Sequence, residues 1–214
     1  QNLRTKYREF FKEKYLVAST IFSVIILSGF LYLNYLIGLY VAKKESNHVT
    51  DIILSNTRVY DVDNLFVGGT ILFFFFILFY SFLNPKKVNY ILKSISLFIF
   101  IRSVFVSLTH LGPFPDRSSI DGLFSDFIVG KFSFGADLFF WGHTGLPFLM
   151  ALIFWKNKIL RYLFIFLSVF FGVVVLLGHI HYSIDVLAAF FITYTIWHMS
   201  EHLFRKELEY FNNN

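Results

Sequence analysis

Cysteine is missing from this 214-residue sequence, and charged side chains make up only 15% of it. The first absence excludes a disulfide scaffold, thiolate catalysis and Cys-ligated zinc or iron–sulfur centres. The second excludes an ordinary water-soluble domain, in which about a quarter of the residues carry charge. No repeat of fixed period and no low-complexity linker interrupts the chain, so it reads as one domain over 1–214. What is plentiful is apolar: 56% of residues are hydrophobic, 31 of them Phe, and the mean hydropathy is +0.62. The composition predicts an all-α polytopic membrane protein. The formal net charge of +5 is not a nucleic-acid signal, because the basic residues have first to be placed relative to the membrane; no nucleic-acid partner is expected.

A spanning helix needs roughly 20 mostly apolar residues. Six stretches qualify: 15–41, 65–83, 91–111, 136–154, 159–177 and 184–199. Lys and Arg divide unevenly between their connections. Arg4, Lys6, Arg8, Lys12, Lys14, Lys86, Lys87, Lys93, Lys156, Lys158, Arg161, Arg205 and Lys206 fall on one side, against Lys43, Lys44, Arg58, Arg117 and Lys131 on the other. The positive-inside rule therefore predicts that both termini are cytoplasmic. The basic segment 1–14 reads as an amphipathic interfacial helix, and 42–64 and 112–134 as external connections long enough for surface helices or a lid. The Phe-rich run 73–79 is read as lipid-facing bulk rather than a ligand groove.

In so apolar a chain the informative positions are ionisable groups in or beside helices, each costly unless paired or hydrated. Arg102 lies inside the third stretch, Asp137 and His143 in the outer half of the fourth, and His179, His181 and Asp185 around the start of the sixth. The topology brings Asp137, His143, His179, His181 and Asp185 to one depth near the outer face, although they come from two different hairpin ends. His143 lies only about 9 Å along the helix from Asp137, and His181 and Asp185 are four residues apart, so the carboxylate can fix the imidazole tautomer. A His held by a carboxylate and facing a second His is suited to nucleophilic phosphoryl transfer with a general acid opposite. His179 is read as a hydrogen-bonded helix-end residue. Arg102 is open to two readings, an ion pair with Asp137 or Asp185, or a phosphate contact. His198 and His202 have the i, i+4 spacing of a metal pair without the Glu of an HExxH motif, and are read as solvated interface residues. No metal and no cofactor is expected.

The segment GADLFFWGHT (135–144) resembles the C-G-D-x-x-x-S-G-H-T motif of sphingomyelin synthases, and HYSIDV (181–186) resembles their H-Y-[ST]-x-D-V motif. IRSVFVSLTHLGPFP (101–115) is similar to the R-S…T-x-L-P-x-P stretch that leads into an outer loop of that family. Sphingomyelin synthases are a branch of the type 2 phosphatidic acid phosphatase superfamily, whose members run metal-independent phosphoryl chemistry from an outward-facing site. The resemblance implies His181 as nucleophile, Asp185 as its orienting partner and His143 as acid and base. It implies substrate-side roles for Arg102, Asp137 and Tyr182. The chain departs from the motif at Gly135, Ala136 and Trp141, the last removing a hydroxyl that could bind phosphate, and no K-x6-R-P phosphate motif is found. That leaves Arg102, and after it Arg117 or Lys131, to balance phosphate charge.

The expectation is phosphoryl or phospho-headgroup transfer on a membrane phospholipid or lipid phosphate, through a phosphohistidine. With a lipid alcohol as acceptor the protein is a headgroup transferase like sphingomyelin synthase; with water it is a lipid phosphatase or phospholipase C. The competing expectation is a non-catalytic small membrane transporter or lipid-binding scaffold, in which the His cluster binds a proton or a metal.

Overall fold

The computed structural model describes residues 2–44, 46–117 and 142–212. Every regular element among them is helical. In chain order they are α1 (Leu3–Lys12), α2 (Lys14–Ala42), a 3-10 turn (Leu54–Asn56), α3 (Asp63–Leu83), α4 (Pro85–Leu108), α5 (Gly142–Ile153), α6 (Lys158–Leu177), α7 (Ser183–Leu203) and α8 (Arg205–Asn212).

Among the described residues, four helices are long and apolar enough to cross a membrane: α2, α3, α4 and α6. The other two expected spans correspond to α5 and α7. The first part of the 136–154 span lies outside the described residues, and its described remainder, α5, has 12 residues. Helix α7 has 21 residues, but Asp185, His198, Glu201 and His202 dilute its apolar character. The Phe run divides: Phe73 is buried and packs edge-on against Phe164, whereas Phe75 and Phe79 stack on each other at an exposed surface. Such outward apolar rings suit lipid rather than water.

Helix α1 is separate from α2 and docks beneath the α3–α4 turn. Lys6 Nζ donates to the Leu83 carbonyl at 3.0 Å and to Asn84 Oδ1 at 2.9 Å, placing a cation where the α3 carbonyls end. Glu9 and Lys86 pair at 2.8 Å. Pro85 opens α4 at a position where a missing N–H is harmless. Helix α2 lies along α4, and α5 packs against α6 and α7. The α5 crossing depends on Gly145: a Cβ there would stand 2.7 Å from Phe98 and 2.9 Å from Thr193 Oγ1. Buried Glu207 ties α8 to the bundle by accepting from Tyr15, Ser19 and Lys93.

Candidate phosphoryl-transfer site

Helix α6 ends in a Schellman turn. The Ile180 N–H bonds the Val175 carbonyl at 2.9 Å and the His179 N–H bonds the Leu176 carbonyl at 3.1 Å. The left-handed residue that such a turn requires is His179, with φ 51°, rather than a glycine. The glycine stands one position earlier because a Cβ on Gly178 would lie 2.5 Å from Val62. Close approach of chains takes the glycine, and the left-handed conformation falls on the histidine, at a cost of roughly 1 kcal/mol. His179 is buried, its Nε2 is 3.1 Å from Thr57 Oγ1, and Phe114 meets its ring edge-on at 5.3 Å.

This turn delivers His181 to the mouth of α7. The helix begins at Ser183, so His181 precedes it, and Asp185 in the first turn reaches back. Asp185 Oδ2 accepts the Tyr182 N–H at 3.2 Å and lies 3.6 Å from His181 Nδ1. Both side chains are buried, at 2% and 0% exposure. At 3.6 Å the contact is electrostatic rather than a hydrogen bond, and it aligns Nδ1 with the carboxylate while Nε2 faces away.

His143, the second residue of α5, sits between Phe66 of α3 (ring centroids 4.8 Å apart) and Phe171 of α6 (6.2 Å). It is within electrostatic range of His181 and Arg102. Arg102, 8% exposed in α4, donates from Nη1 to Asn34 Oδ1 of α2 at 2.7 Å, and its Nε lies 3.7 Å from the place a Cβ on Gly142 would take. Helices α4 and α5 and the α6–α7 turn thus bring Arg102, His143 and His181 into one neighbourhood, with Asp185 of α7 behind. Pro147 withholds the N–H that would close on the His143 carbonyl, which loosens the turn carrying that histidine.

The segment 46–62 is strapped across this end of the bundle. Ser46 N–H donates to the His110 carbonyl (2.8 Å), Val49 N–H to Tyr182 Oη (3.2 Å), and Tyr60 N–H to the Leu177 carbonyl (2.9 Å). Asp51 is the centre of the strap. Its Oδ1 accepts the Ile53 and Leu54 N–H groups at 2.9 and 3.2 Å, and its Oδ2 accepts Ser183 N–H, the first amide of α7, at 2.7 Å. Burial pushes the Asp51 carboxyl up, but the hydrogen bonds from Ser183, Leu54 and Ile53 outweigh it and hold it below the ordinary carboxylate range.

The expected residues therefore separate. His143, His181, Asp185 and Arg102 come together. Tyr182, expected on the substrate side, is 1% exposed, and its hydroxyl donates to the Gly112 carbonyl at 2.8 Å while accepting from Val49; the described contacts make it a tie between loops. Asp137, Trp141 and Lys131 lie outside the described residues, as does most of the 112–134 connection. Two contributors escaped sequence reasoning. Asn34 carried a signal, an amide amid apolar neighbours in LYLNYL. Asp51 carried none beyond its charge, because its partners are backbone amides. Among the described residues no group of three or more His, Asp or Glu side chains converges as metal ligands would.

A family model described as PAP2 superfamily C-terminal matches residues 135–203, running from the segment before α5 through α7 and containing His143, His181 and Asp185. No curated protein and no solved structure matches the chain.

Proposed function

We propose that this chain is an integral membrane enzyme that transfers a phosphoryl or phospho-headgroup unit from a membrane phospholipid or lipid phosphate, without a metal, through a phosphohistidine. The observation that carries the reading is the buried His181–Asp185 pair, 3.6 Å apart, which lies with His143 inside the matched PAP2 segment and has Arg102 of α4 within electrostatic range of His143. The four side chains come from three helices and the α6–α7 turn, and each would be costly to keep among apolar neighbours for packing alone.

In the proposed cycle Arg102 holds phosphate oxygens and His181 Nε2 attacks phosphorus, with Asp185 stabilising the imidazolium that develops. The P–O bond to the leaving group breaks, and His143 supplies the proton that the departing oxygen takes. In the second half His143 removes a proton from the acceptor hydroxyl, that oxygen attacks phosphorus, and the P–N bond electrons return to His181. A lipid alcohol as acceptor makes the enzyme a sphingomyelin synthase-like transferase; water makes it a lipid phosphatase or phospholipase C. Tyr182 and Asp51 act by fixing the turn that carries His181, and Asp137 by a contact to an imidazole or substrate hydroxyl. The excess of Lys and Arg at the opposite end of the bundle supports an orientation with that end cytoplasmic and the His end facing out.

The test is mass spectrometry of lipids and water-soluble products after purified protein meets a mixed phospholipid panel, with and without ceramide or diacylglycerol, beside His181→Ala protein and beside a sample containing chelator. Free phosphate identifies a phosphatase, a phosphorylated headgroup in water a phospholipase C, and a new headgroup-bearing lipid a transferase. The expected product is chelator-insensitive and absent with His181→Ala. A panel with no His181-dependent product would replace the catalytic reading with transport or lipid binding.

A further inference from the structure

At the end of the bundle remote from His181 there is a cavity of about 590 Å³, between the start of α4, the ends of α3, α5, α7 and α8, and the α5–α6 connection. Asp185 and Glu201, at opposite ends of α7, are about 24 Å apart along its axis, so this cavity is separate from the site described above. Its inner wall is apolar: Leu152, Ile153, Phe154 and Phe211 line it and are all buried. Its rim carries Trp155, Trp197, Lys87 and Lys156.

The charges on that rim do not cancel. Among the described residues neither lysine has a carboxylate within ion-pairing distance. Lys87 Nζ lies over the Phe211 ring at 4.8 Å, and Lys156 Nζ donates to Asn212 Oδ1 at 3.1 Å. The one lining carboxylate, Glu201, is turned towards His198 at 3.7 Å. Outside the rim, the Arg161 guanidinium covers the Trp155 ring at 4.8 Å and adds a further cation. Two uncompensated ammonium groups above an apolar wall, flanked by indoles of the kind that settle at a membrane–water boundary, match a molecule with an anionic head and an apolar tail.

We infer that this cavity is a binding site for the phosphate of an anionic lipid, with Lys87 and Lys156 on the phosphate and the Phe154–Phe211 wall against the glycerol and first methylenes. The inference stands apart from the chemistry proposed at His181. Occupancy would exchange the Lys156–Asn212 contact for a charge-assisted one and draw the end of α8 over the ligand.

Trp155 and Trp197 are two of the three tryptophans in the chain, so Trp141→Phe protein carries reporters only at this cavity. Its fluorescence in phosphatidylcholine nanodiscs would be followed as brominated phosphatidic acid is added, with brominated phosphatidylcholine as the baseline. The expected result is quenching beyond the baseline that saturates. The half-point should rise roughly tenfold or more with Lys87→Gln/Lys156→Gln and return with Lys87→Arg/Lys156→Arg. A saturating, lysine-dependent emission change with inorganic phosphate alone would support the same site with free phosphate as its ligand. Quenching that grows in proportion to lipid without saturating, or that the glutamine variant leaves unchanged, would overturn the inference. Should the glutamine variant fail to fold, salt decides on the parent protein. Raising it from about 50 to about 500 mM must weaken the excess quenching, and salt-independent quenching overturns the inference.

Discussion

The two ends of α7 carry the same pattern and treat it oppositely. At the first end, His181 and Asp185 are four residues apart, buried, and 3.6 Å from each other. At the other, His198 and His202 are also four apart, yet both are exposed, and the His202 ring turns to the His198 carbonyl at 2.9 Å. The spacing is common to both; the surroundings are not. The first end is closed by the Schellman turn, the 46–62 strap and Phe66, and these exclude water and set ring orientation. At the second end the described contacts of His198 and His202 stay within their own helix, with Glu201, Tyr194, Trp197 and the His198 carbonyl. A pair at helical spacing becomes a buried, oriented constellation when other elements desolvate it and supply partners, and the contrast locates those elements.

The largest effect should come from exchanging the two histidine types. His181→Ala should lower turnover of whichever lipid is consumed at least about a thousandfold, Asp185→Asn about a hundredfold, and His198→Ala by less than about twofold. Equal losses at His181 and His198 in a rate assay would erase the distinction.

Next comes the strap. Asp51→Asn keeps the size of the side chain but loses acceptor capacity for three amides, one of them at the start of α7. Stability should fall by about 1–2 kcal/mol in denaturant or thermal unfolding, with turnover falling alongside as His181 loses its fixed setting. The pH dependence has a definite sign. The folded-state pKa of Asp51 is lowered, so its stabilisation is present above the ordinary carboxylate value of about 4 and is lost as pH falls through the folded value. Wild-type protein should therefore lose stability on acidification below about pH 4 more steeply than Asp51→Asn. Identical acid profiles would show that the strap is not held by this carboxylate.

The smallest effect belongs to His179. Its side chain contacts Thr57 but its backbone is left-handed. His179→Gly relieves the backbone and removes the contact, two terms of similar size and opposite sign, so stability should change by less than about 1 kcal/mol and turnover by less than about threefold. A large loss of turnover with unchanged stability would move His179 into the reaction.

Much of this was legible in the sequence, for reasons particular residues make clear. Long apolar runs are membrane solutions by composition alone, and α2, α3, α4 and α6 lie where those runs predict. His181 and Asp185 could be paired because their separation is short and local. Arg102 could be marked as costly, but its partner Asn34 could not be chosen, since 68 residues separate them. Asp51 was legible only as an acidic residue in a connection, because a carboxylate that serves backbone amides leaves no pattern of side-chain types. The left-handed turn was hidden for a different reason. A glycine beside His179 would ordinarily be given that conformation, and only the approach of Val62 shows why Gly178 is needed where it is.

The central claim is that the buried histidine just before α7, and not the exposed histidines near the end of that helix, becomes phosphorylated. The direct measurement is rapid quenching of the protein during turnover of a consumed lipid substrate, followed by peptide mass spectrometry under alkaline conditions that preserve phosphohistidine. The account predicts an acid-labile phosphate on the peptide carrying His181 during turnover, at a level that rises, where the acceptor is a lipid alcohol, when that alcohol is withheld. Phosphate on His198 or His202 instead, or turnover with no phosphorylated histidine at any quench time, would contradict it.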